Sequence, residues 1–444
     1  MEVVSKKHEK EENIDSDFID TLKLIIYSSI GIFLFFIPIK LNGQSITLIY
    51  HIAYKLQSDL RPFLQICIIV YAIIGCLKPI LENKKKKIIQ SNIFLYIRMF
   101  SILIIVNIFY GKNTIMFLDD DILLLIDELV LNVATVLPLS AIFITFLLDY
   151  GFLDIVESYF HNIMKKNFKL SGKTIVNILI YICTDCFCGM FVTNKLYKTG
   201  KIRYNEACII ILNFSIMPIP MVSYISKELN VDKIDITIVS TITLIITNMI
   251  LSRIYPLNKK KKSYCIKTNY RETIHKNEKL KNGIKKYLKN KNNKNILKTI
   301  IDNLEEAISI IINLIPELVM ILYLGNIILN SDIILELSKY IFYPLAEIFK
   351  IADKGEISLF GINLFYNGII GIENVSNYTQ YSTKFLIGIL AVTSCTSLSS
   401  NMVYIKNTDI SITKKEFLVS YIQRIITIVF IYSIMYYFYR GYMM

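Results

Sequence analysis

The chain has 444 residues, 54% of them hydrophobic, and a mean hydropathy of +0.48, which is too apolar for a soluble domain of this size. The formal net charge of +13 belongs almost entirely to one segment, because residues 257–296 hold 14 Lys and Arg against two Glu. This Lys- and Asn-rich composition favours a solvated linker, with contact to anionic lipid headgroups as the alternative, and argues against a partnership with nucleic acid.

Apolar runs long enough to cross a bilayer as helices recur along the chain. They cover nine ranges, at 19–39, 62–81, 92–110, 129–149, 206–226, 236–255, 304–328, 384–402 and 417–438. The sequence therefore predicts an all-α polytopic membrane protein. The charged stretch 1–18 lacks the features of a cleaved secretory leader, so we expect the first span to remain in the mature protein.

Positive charges in the short loops predict the orientation, because loops rich in Lys and Arg stay in the cytoplasm. The Lys run at 84–87, the turn at 165–169 and the linker at 257–296 are accordingly placed inside, together with the N-terminus. Segment 173–194 then cannot cross, since crossing would put the basic loop at 195–203 outside. We expect it to be a re-entrant hairpin whose tip lines protein or a water-filled cavity.

The second half repeats this order of elements upside down. Segment 355–377 is interrupted by glycines and polar residues, so it is predicted to be a hairpin that enters from outside. Inverted repeats with interrupted helices near the bilayer midplane are the recurring architecture of secondary transporters. The predicted segments are a cytoplasmic charged tail (1–18), N-terminal transmembrane helices (19–128), a first repeat (129–256), the basic cytoplasmic linker (257–296) and a second, inverted repeat (297–438).

Two carboxylates lie within apolar segments, where a charge is costly and commonly marks an ion path, a substrate path or a proton relay. Asp185 and Glu317 are therefore predicted to couple an ion. The alternatives are a helix cap or a Lys partner for Asp185, and an ion-pairing role for Glu317 beside a helix kink at Pro316.

Polar or Pro-containing breaks interrupt two of the predicted spans, at 211–223 and 391–404. Pro residues free backbone carbonyls, and hydroxyl and amide groups can hydrogen-bond a neutral polar solute. The alternative is helix packing, which small hydroxylated residues also favour. The predicted solute-binding residues are Thr184, Asp185, Thr193, Asn194, Asn213, Ser215, Asn363, Asn367, Thr393, Ser394, Ser397, Ser400 and Asn401.

Cys183, Cys186 and Cys188 are spaced as C-x-x-C-x-C. A structural zinc site needs four protein ligands, and no fourth cysteine or suitable histidine lies near them in sequence. The pattern favours small apolar thiols at a crowded hairpin tip over a metal site. The sequence also lacks phosphate-loop and zinc-hydrolase motifs, so we expect neither an enzyme nor a cofactor.

The stretch GMFVTNKLYKTGKIRYNEACIIILNFS (189–215) combines a VTN triplet, a basic-aromatic segment and a Ser-bearing helix break. Together with LIIYSSIGIFLFFIPI (24–39), FLIGILAVTSCTSLSS (385–400) and VSYIQRIITIVFIYSI (419–434), it resembles the nucleoside-recognition, or Gate-domain, family of bacterial membrane proteins, in its YjiH-like branch. The resemblance covers most of residues 20–438. It implies a fold like that of concentrative nucleoside transporters, in a bacterial inner membrane.

The chain departs from that branch where acidic residues are usual, in the second hairpin and in the second helix break. There it has FYNGIIGIEN and SSNMVY, so Asn and Ser replace two membrane carboxylates. The sequence thus predicts a secondary transporter or permease of a small polar solute, with a nucleoside or nucleobase as a candidate. The alternative is a non-transporting membrane component, like the spore-maturation relatives, that assembles with copies of itself or with a second membrane protein.

Overall fold

The structure is a computed structural model that describes residues 2–41, 44–82, 88–111, 120–266, 279–289, 295–329, 331–366, 368–373, 375–376, 378–394 and 398–442. The N-terminal part consists of α1 (Glu2–Phe36), α2 (Leu48–Asp59), α3 (Arg61–Glu82) and α4 (Ile88–Tyr110). An antiparallel hairpin of β1 (Pro38–Leu41) and β2 (Gln44–Thr47) joins α1 to α2. This hairpin was not predicted, and it follows the end of the first apolar helix at Phe36.

The rest of the chain forms two halves separated by a basic segment. The first half contains α5 (Asp120–Leu148), α6 (Phe152–Phe168), α7 (Thr174–Cys183), α8 (Cys186–Lys198), α9 (Tyr204–Asn213), α10 (Ile219–Glu228) and α11 (Lys233–Leu251). A short 3-10 turn (Leu257–Lys259) and α12 (Lys279–Lys289) follow. The second half contains α13 (Ile296–Leu329), α14 (Asp332–Ile348), α15 (Lys354–Tyr366), α16 (Gly368–Glu373), α17 (Tyr381–Ser394), α18 (Leu398–Lys406) and α19 (Lys414–Tyr442).

Within the described residues, six helices are long and apolar enough to cross a membrane. They are Phe18–Phe36, Arg61–Lys78, Leu123–Leu148, Lys233–Leu251, Ile296–Ile328 and Lys414–Tyr437. Shorter apolar helices cover Tyr96–Tyr110, Thr174–Cys183 and Tyr381–Thr393. The predicted class, an all-α multi-pass membrane protein, is thereby confirmed, whereas the count of nine spans stays a prediction.

Two of the predicted spans are each formed by two short helices. In the first, α9 ends at Asn213 and α10 begins at Ile219. Pro218 and Pro220 explain this break, because proline has no N–H to continue the hydrogen-bond ladder but fits the first turn of a new helix. In the second half, the range 384–402 is likewise divided between α17 and α18.

The two halves contain the same elements in the same order, and matched helices begin 176 to 182 residues apart. Several matching positions lie 181 residues apart, as in 329 less 148. The residues after α6 and α14 even share a left-handed backbone, with φ of 58° and 53°. The matched pairs are Leu148 and Leu329 ending α5 and α13, Lys169 and Lys350 following α6 and α14, and Lys233 and Lys414 beginning α11 and α19.

Equivalent helices of the two halves meet end to beginning. Asn303, near the start of α13, donates its amide to the hydroxyl of Thr145, near the end of α5, at 2.9 Å. Lys260, which follows the 3-10 turn after α11, pairs with Glu416, in the first turn of α19, at 2.8 Å. These contacts are of the kind that an inverted second half would make.

Contacts between the halves recur when the two halves are exchanged. The packing of α8 on α18 recurs as α16 on α10, and that of α9 on α19 recurs as α17 on α11. Within the halves, the packing of α7 on α10 recurs as α15 on α18. The helices α5 and α13 contact each other, as do α11 and α19. These contacts are the ones expected if a pseudo-two-fold axis relates the halves.

The buried apolar residues form two clusters. One surrounds α5, α13 and the α7–α8 hairpin, with Tyr181, Phe191 and Tyr404 among its largest fully buried side chains. The other surrounds α15, α17 and α19 and includes Phe360. Both clusters border the interrupted helices, so the breaks lie in the interior of the protein.

The basic segment between the halves is not entirely a solvated linker. Its helix α12 packs against α6, where Gly283 lies so close to Ile155 that a Cβ would be 2.8 Å from the Cα of Ile155. Lys286 also pairs with Asp154 of α6 at 3.7 Å. The helix Lys279–Lys289 is therefore held against the first half by packing and by a carboxylate partner, whereas the cytoplasmic location of the linker stays a prediction.

Candidate functional site

The hairpin formed by α7 and α8 begins and ends at one place. The carboxylate of Glu206 accepts the backbone N–H of Ser171, just before α7, at 2.6 Å. It also accepts the backbone N–H of Arg203, in the turn after α8, at 2.9 Å. The hairpin tip is therefore about 15 Å from one end, the length of the ten-residue α7, and about 20 Å from the other, the length of the 13-residue α8.

The tip lies beside the middle of α5. The thiol of Cys188 donates to the hydroxyl of Ser140 at 3.2 Å. Lys201, in the turn after the hairpin, pairs with Asp149 at the end of α5, at 2.9 Å. Ser140 and Asp149 are about 13 Å apart along the helix axis, so the tip lies about that far from the end of α5.

Asp185 occupies this tip and both of its carboxylate oxygens are engaged. Oδ1 accepts the backbone N–H of Cys188 at 2.6 Å, so Asp185 is the N-cap of α8. Oδ2 accepts the hydroxyl of Tyr50, from α2, at 3.0 Å. The cap agrees with the structural alternative for this residue. Asp185 forms no ion pair with any residue in the described part of the chain.

A chain of three side chains links the hairpin tip to both interrupted spans. The thiol of Cys186 donates to the amide oxygen of Asn401, on α18, at 3.3 Å. The amide nitrogen of Asn401 donates to the hydroxyl of Ser215, in the break between α9 and α10, at 3.2 Å. The backbone N–H of Met217 in that break donates to the carbonyl of Val392 on α17 at 3.0 Å. The structure thus brings together two predicted site residues, Ser215 and Asn401.

A small cavity lies at this junction. It is bounded by polar groups from both halves and closed on one side by α19, whose Tyr421 donates its hydroxyl to the carbonyl of Leu364 on α15 at 2.6 Å. Arg424 of α19 donates to the carbonyl of Leu212 at 3.2 Å and to the carbonyl of Thr393. The lining residues are Ile211, Leu212, Ser215, Asn401, Phe417, Tyr421 and Arg424.

Three predicted threonines are buried and bond within their own hairpin or helix. Thr184 donates to the carbonyl of Ile180 and Thr393 to that of Ile389, each at 2.6 Å. Thr193 joins the two helices of the hairpin, because its hydroxyl accepts the amide of Asn177 at 2.7 Å. It donates to its own helix at 2.8 Å. In this arrangement the three hydroxyls support the helices that carry them.

Asn194 lies at the end of the hairpin rather than at its tip. Its amide nitrogen lies 3.3 Å from a carboxylate oxygen of Glu306 on α13, and its amide oxygen accepts the backbone N–H of Asp409 at 3.0 Å. Lys195 and Lys198 both pair with Glu306, at 3.2 and 3.0 Å. Contact between Asn194 and a solute would require this ionic cluster to open.

Glu317 of α13 is held by two cations. The guanidinium of Arg98 on α4 bonds its Oε1, and the ammonium of Lys406 on α18 lies 2.8 Å from the same atom. Arg98 also donates to the carbonyl of Gly75 on α3 at 2.8 Å. This network joins four helices, and it agrees with the ion-pairing alternative for Glu317. Its predicted role in ion coupling stays a prediction.

Several buried polar groups have no hydrogen-bond partner among the described residues. Both amide atoms of Asn213 and of Asn248, and the hydroxyls of Ser240, Thr243 and Thr247, are of this kind. Four of these five residues lie on one face of α11, because they follow one another at spacings of three, four and one residues. They are Ser240, Thr243, Thr247 and Asn248. Buried polar atoms are usually satisfied by protein or by ordered water, so this polar face of α11 suits water or a solute.

The remaining predicted residues lie at or beyond the edge of what the structure describes. Asn363 is partly buried on α15, where a Cβ on Gly371 of α16 would be 2.7 Å from the Cβ of Asn363. It thus faces the partner helix of the second hairpin. The side chains of Asn367, Ser394, Ser397 and Ser400 lie outside the described residues.

Sequence reasoning missed the cationic and aromatic parts of the junction. Arg424 carried a usable signal, because an arginine within the apolar run YIQRIITIVF is as unusual at membrane depth as a carboxylate. Tyr50 and Tyr421 had no such sequence signal, because tyrosine is common throughout this chain. Only the fold brings their two hydroxyls inward.

A buried carboxylate also lies beside the entrance of the first hairpin. Glu157 on α6 accepts the backbone N–H of Lys173 at 2.8 Å and bonds His161 at 2.9 Å. Burial raises the pKa of Glu157, but the hydrogen bond to His161 and the charges of Lys173 and Lys286 outweigh burial and lower the pKa to about 2. The carboxylate therefore stays ionised and anchors the start of α7 to α6.

Comparison with known proteins finds a distant relative of this chain. The chain is 23% identical over 288 residues to an uncharacterized protein of Alkalihalophilus pseudofirmus. The match covers 59% of this chain and 60% of that relative's length. No protein-family model matches the chain, and no solved structure matches it.

Proposed function

We propose that the chain is a secondary transporter or permease of a small polar solute. The observation that carries this proposal is the meeting of interrupted helices from two inverted halves at one polar junction, where Asn401 bonds Ser215 and Arg424 bonds the ends of α9 and α17. Inverted repeats with discontinuous helices that meet near the bilayer midplane are the binding architecture of secondary transporters.

The two hairpins support alternate gating. Both ends of the first hairpin lie beside Glu206. The second hairpin also returns to its starting point, because Asp353, just before α15, accepts the backbone N–H of Gln380, just before α17, at 2.8 Å. In the predicted inverted arrangement, the hairpins open toward opposite ends of the protein. Each hairpin, re-entering the membrane from one side, would close the cavity on that side.

The charged segments support an orientation with the N-terminus and the 257–296 linker in the cytoplasm of a bacterial cell, and the spans in its inner membrane. A Cβ on Gly151 would meet both Leu24 of α1 and Tyr287 of α12, so these helices lie at the end of the protein where the first hairpin opens. This end carries the Lys-rich linker, and Lys-rich loops remain in the cytoplasm.

The chemistry of the junction suits a neutral solute with several hydrogen-bonding groups. Ser215 and Tyr421 contribute hydroxyls and Asn401 an amide, while the charge of Arg424 is offset by helix carbonyls. A nucleoside or nucleobase has this combination of uncharged donors and acceptors. The resemblance of residues 189–215 to the Gate-domain family supports the same class.

Uptake by reconstituted protein tests the proposal. Purified protein in liposomes is offered labelled nucleosides, nucleobases, amino acids and dipeptides, and we expect saturable uptake of one class. Asn401→Ala should lower that uptake about tenfold, because a hydrogen bond to a bound solute contributes on the order of 1.5 kcal/mol. The matched control is Thr427→Ala on α19, whose hydroxyl donates to the carbonyl of Gln423 in its own helix.

Two results would contradict the proposal. Absence of uptake by folded protein across the panel, combined with co-purification of a second membrane protein, would support the assembly alternative. Uptake that Asn401→Ala leaves at the level of Thr427→Ala would place the solute away from this junction.

A further inference from the structure

Arg424 connects equivalent positions of the two halves. Its guanidinium donates to the carbonyls of Leu212 and Thr393, which lie 181 positions apart, as 393 less 212, and so match under the repeat. Each carbonyl belongs to the last turn of an interrupted helix, α9 or α17. A group that bonds two symmetry-related atoms in this way lies at the pseudo-two-fold axis, where the halves meet.

The ends of α9 and α17, where the guanidinium of Arg424 lies, create a negative electrostatic potential. The last carbonyls of a helix lack partners in the next turn, and together they act like roughly −0.5 of an elementary charge. Two helix ends that converge therefore act like about one negative charge. In transporters with interrupted helices, such carbonyl ends and unwound carbonyls coordinate Na⁺ or H⁺. Here the guanidinium provides a matching single positive charge.

The burial of Arg424 distinguishes it from an ordinary helix cap. Arg424 is 3% exposed. It lies about 15 Å along the helix axis from Lys414, where α19 begins. Arg253 provides the comparison, because it also donates to the last carbonyls of a helix, those of Lys166 and Asn167 on α6, but at the exposed surface. A permanent charge at membrane depth is costly and is retained where the site requires it.

We propose that Arg424 is a tethered cation that takes the place of a coupling metal ion between the two interrupted helices. The protein then binds no Na⁺ or K⁺ at this position, and solute movement does not require a gradient of either ion. The statement about transport rests on the proposed function, whereas the statement about cation binding does not.

Thermal unfolding tests the cation-binding statement without any transport measurement. A thiol-reactive fluorophore reports unfolding, because Cys76, Cys186, Cys188 and Cys208 are buried in the folded protein. The wild-type midpoint should be the same in sodium chloride and in choline chloride at equal ionic strength. Arg424→Ala should lower the midpoint by roughly 5 °C or more, since two buried carbonyls lose their partner.

Small cations should then restore the thermal stability of the Arg424→Ala variant. We expect millimolar guanidinium or Na⁺ to raise the Arg424→Ala midpoint saturably toward the wild-type value, with no effect of choline. Arg253→Ala is the matched control and should show no saturable response, because water already solvates its helix end.

The proposal is overturned by saturable stabilisation of the wild-type protein by Na⁺ or K⁺, a measurement that remains decisive even where Arg424→Ala fails to fold. It is also overturned by a folded Arg424→Ala protein that responds equally to guanidinium, Na⁺ and choline. Expected cation responses without solute uptake would refute the proposed function alone, whereas uptake driven by a Na⁺ gradient would refute the tethered cation alone.

Discussion

Removal of the Glu317 carboxylate should destabilise the protein through the charge it leaves behind. The side chains of Arg98 and Glu317 are only 11% and 10% exposed. A guanidinium remains protonated in proteins, so without Glu317 it is a buried charge whose described partner is the carbonyl of Gly75. Lys406 pairs with the same carboxylate, but its side chain is 57% exposed and can return to water.

These exposures determine the expected magnitudes. Breaking a buried ion pair by removing one partner costs about 3–5 kcal/mol, so we expect Glu317→Ala to lose that much unfolding free energy. An exposed ion pair contributes about 0–1 kcal/mol, so Lys406→Ala should change stability by less than about 1 kcal/mol. The double variant Arg98→Met/Glu317→Leu should regain most of the lost unfolding free energy. It contains neither the guanidinium nor the carboxylate, so no buried charge is left without a partner.

The assay is denaturant unfolding in mixed micelles, applied to wild type, the two single variants and the double variant. A loss below about 1 kcal/mol for Glu317→Ala would refute the reasoning, since the pair would then be solvated like a surface contact. A double variant no more stable than Glu317→Ala would refute it as well. Should Glu317→Ala instead keep its stability and lose gradient-dependent uptake, the residue would serve ion coupling, as the sequence predicts.

Two further predictions concern packing and pH. A Cβ on Gly75 would lie 2.0 Å from the backbone oxygen of Ile312, so Gly75→Ala should separate α3 from α13 and cost about 1–3 kcal/mol in thermal unfolding. Gly355→Ala, where no atom lies within 4 Å of the added methyl, should be neutral or slightly stabilising. The folded pKa of Glu157 is lowered to about 2 from 4.5, so its contribution is present above pH 4.5 and is lost as pH falls toward 2. Wild type should therefore exceed Glu157→Gln by on the order of 3 kcal/mol at pH 6, and a difference that does not shrink by pH 3 would contradict this account.

Local chemistry predicted the elements that depend on it. The interruption near Pro218 follows from the missing N–H of proline, and the structure has it between Asn213 and Ile219. The apolar runs predicted membrane helices because length and hydropathy determine that class. The β-hairpin after α1 was missed, although the sequence has an Asn-Gly pair at 42–43, which is a strong hairpin-turn signal.

The repeat was predicted from the order of elements, although a further signal was available. The segment FKLSGK at 168–173 recurs 181 residues later as FKIADK at 349–354. The shared Phe-Lys marks the turn where both backbones become left-handed. A comparison at this offset would have added a local sequence match to the order of elements.

The candidate site was predictable only where its residues occur in the breaks themselves. Ser215 and Asn401 meet because each interrupted span must place its polar residues inward. Thr193 and Asn194 were also predicted to lie at the site. In the structure, Thr193 bonds Asn177 and Asn194 bonds Glu306. Which neighbour a helical side chain meets depends on tertiary packing, and sequence spacing alone does not determine it.

The contacts of α5 with α13 and of α11 with α19 join equivalent helices of the two halves, as in an isologous interface between identical subunits. Each half thus covers these helices of the other half. Separation of the halves would therefore expose the same helices on both.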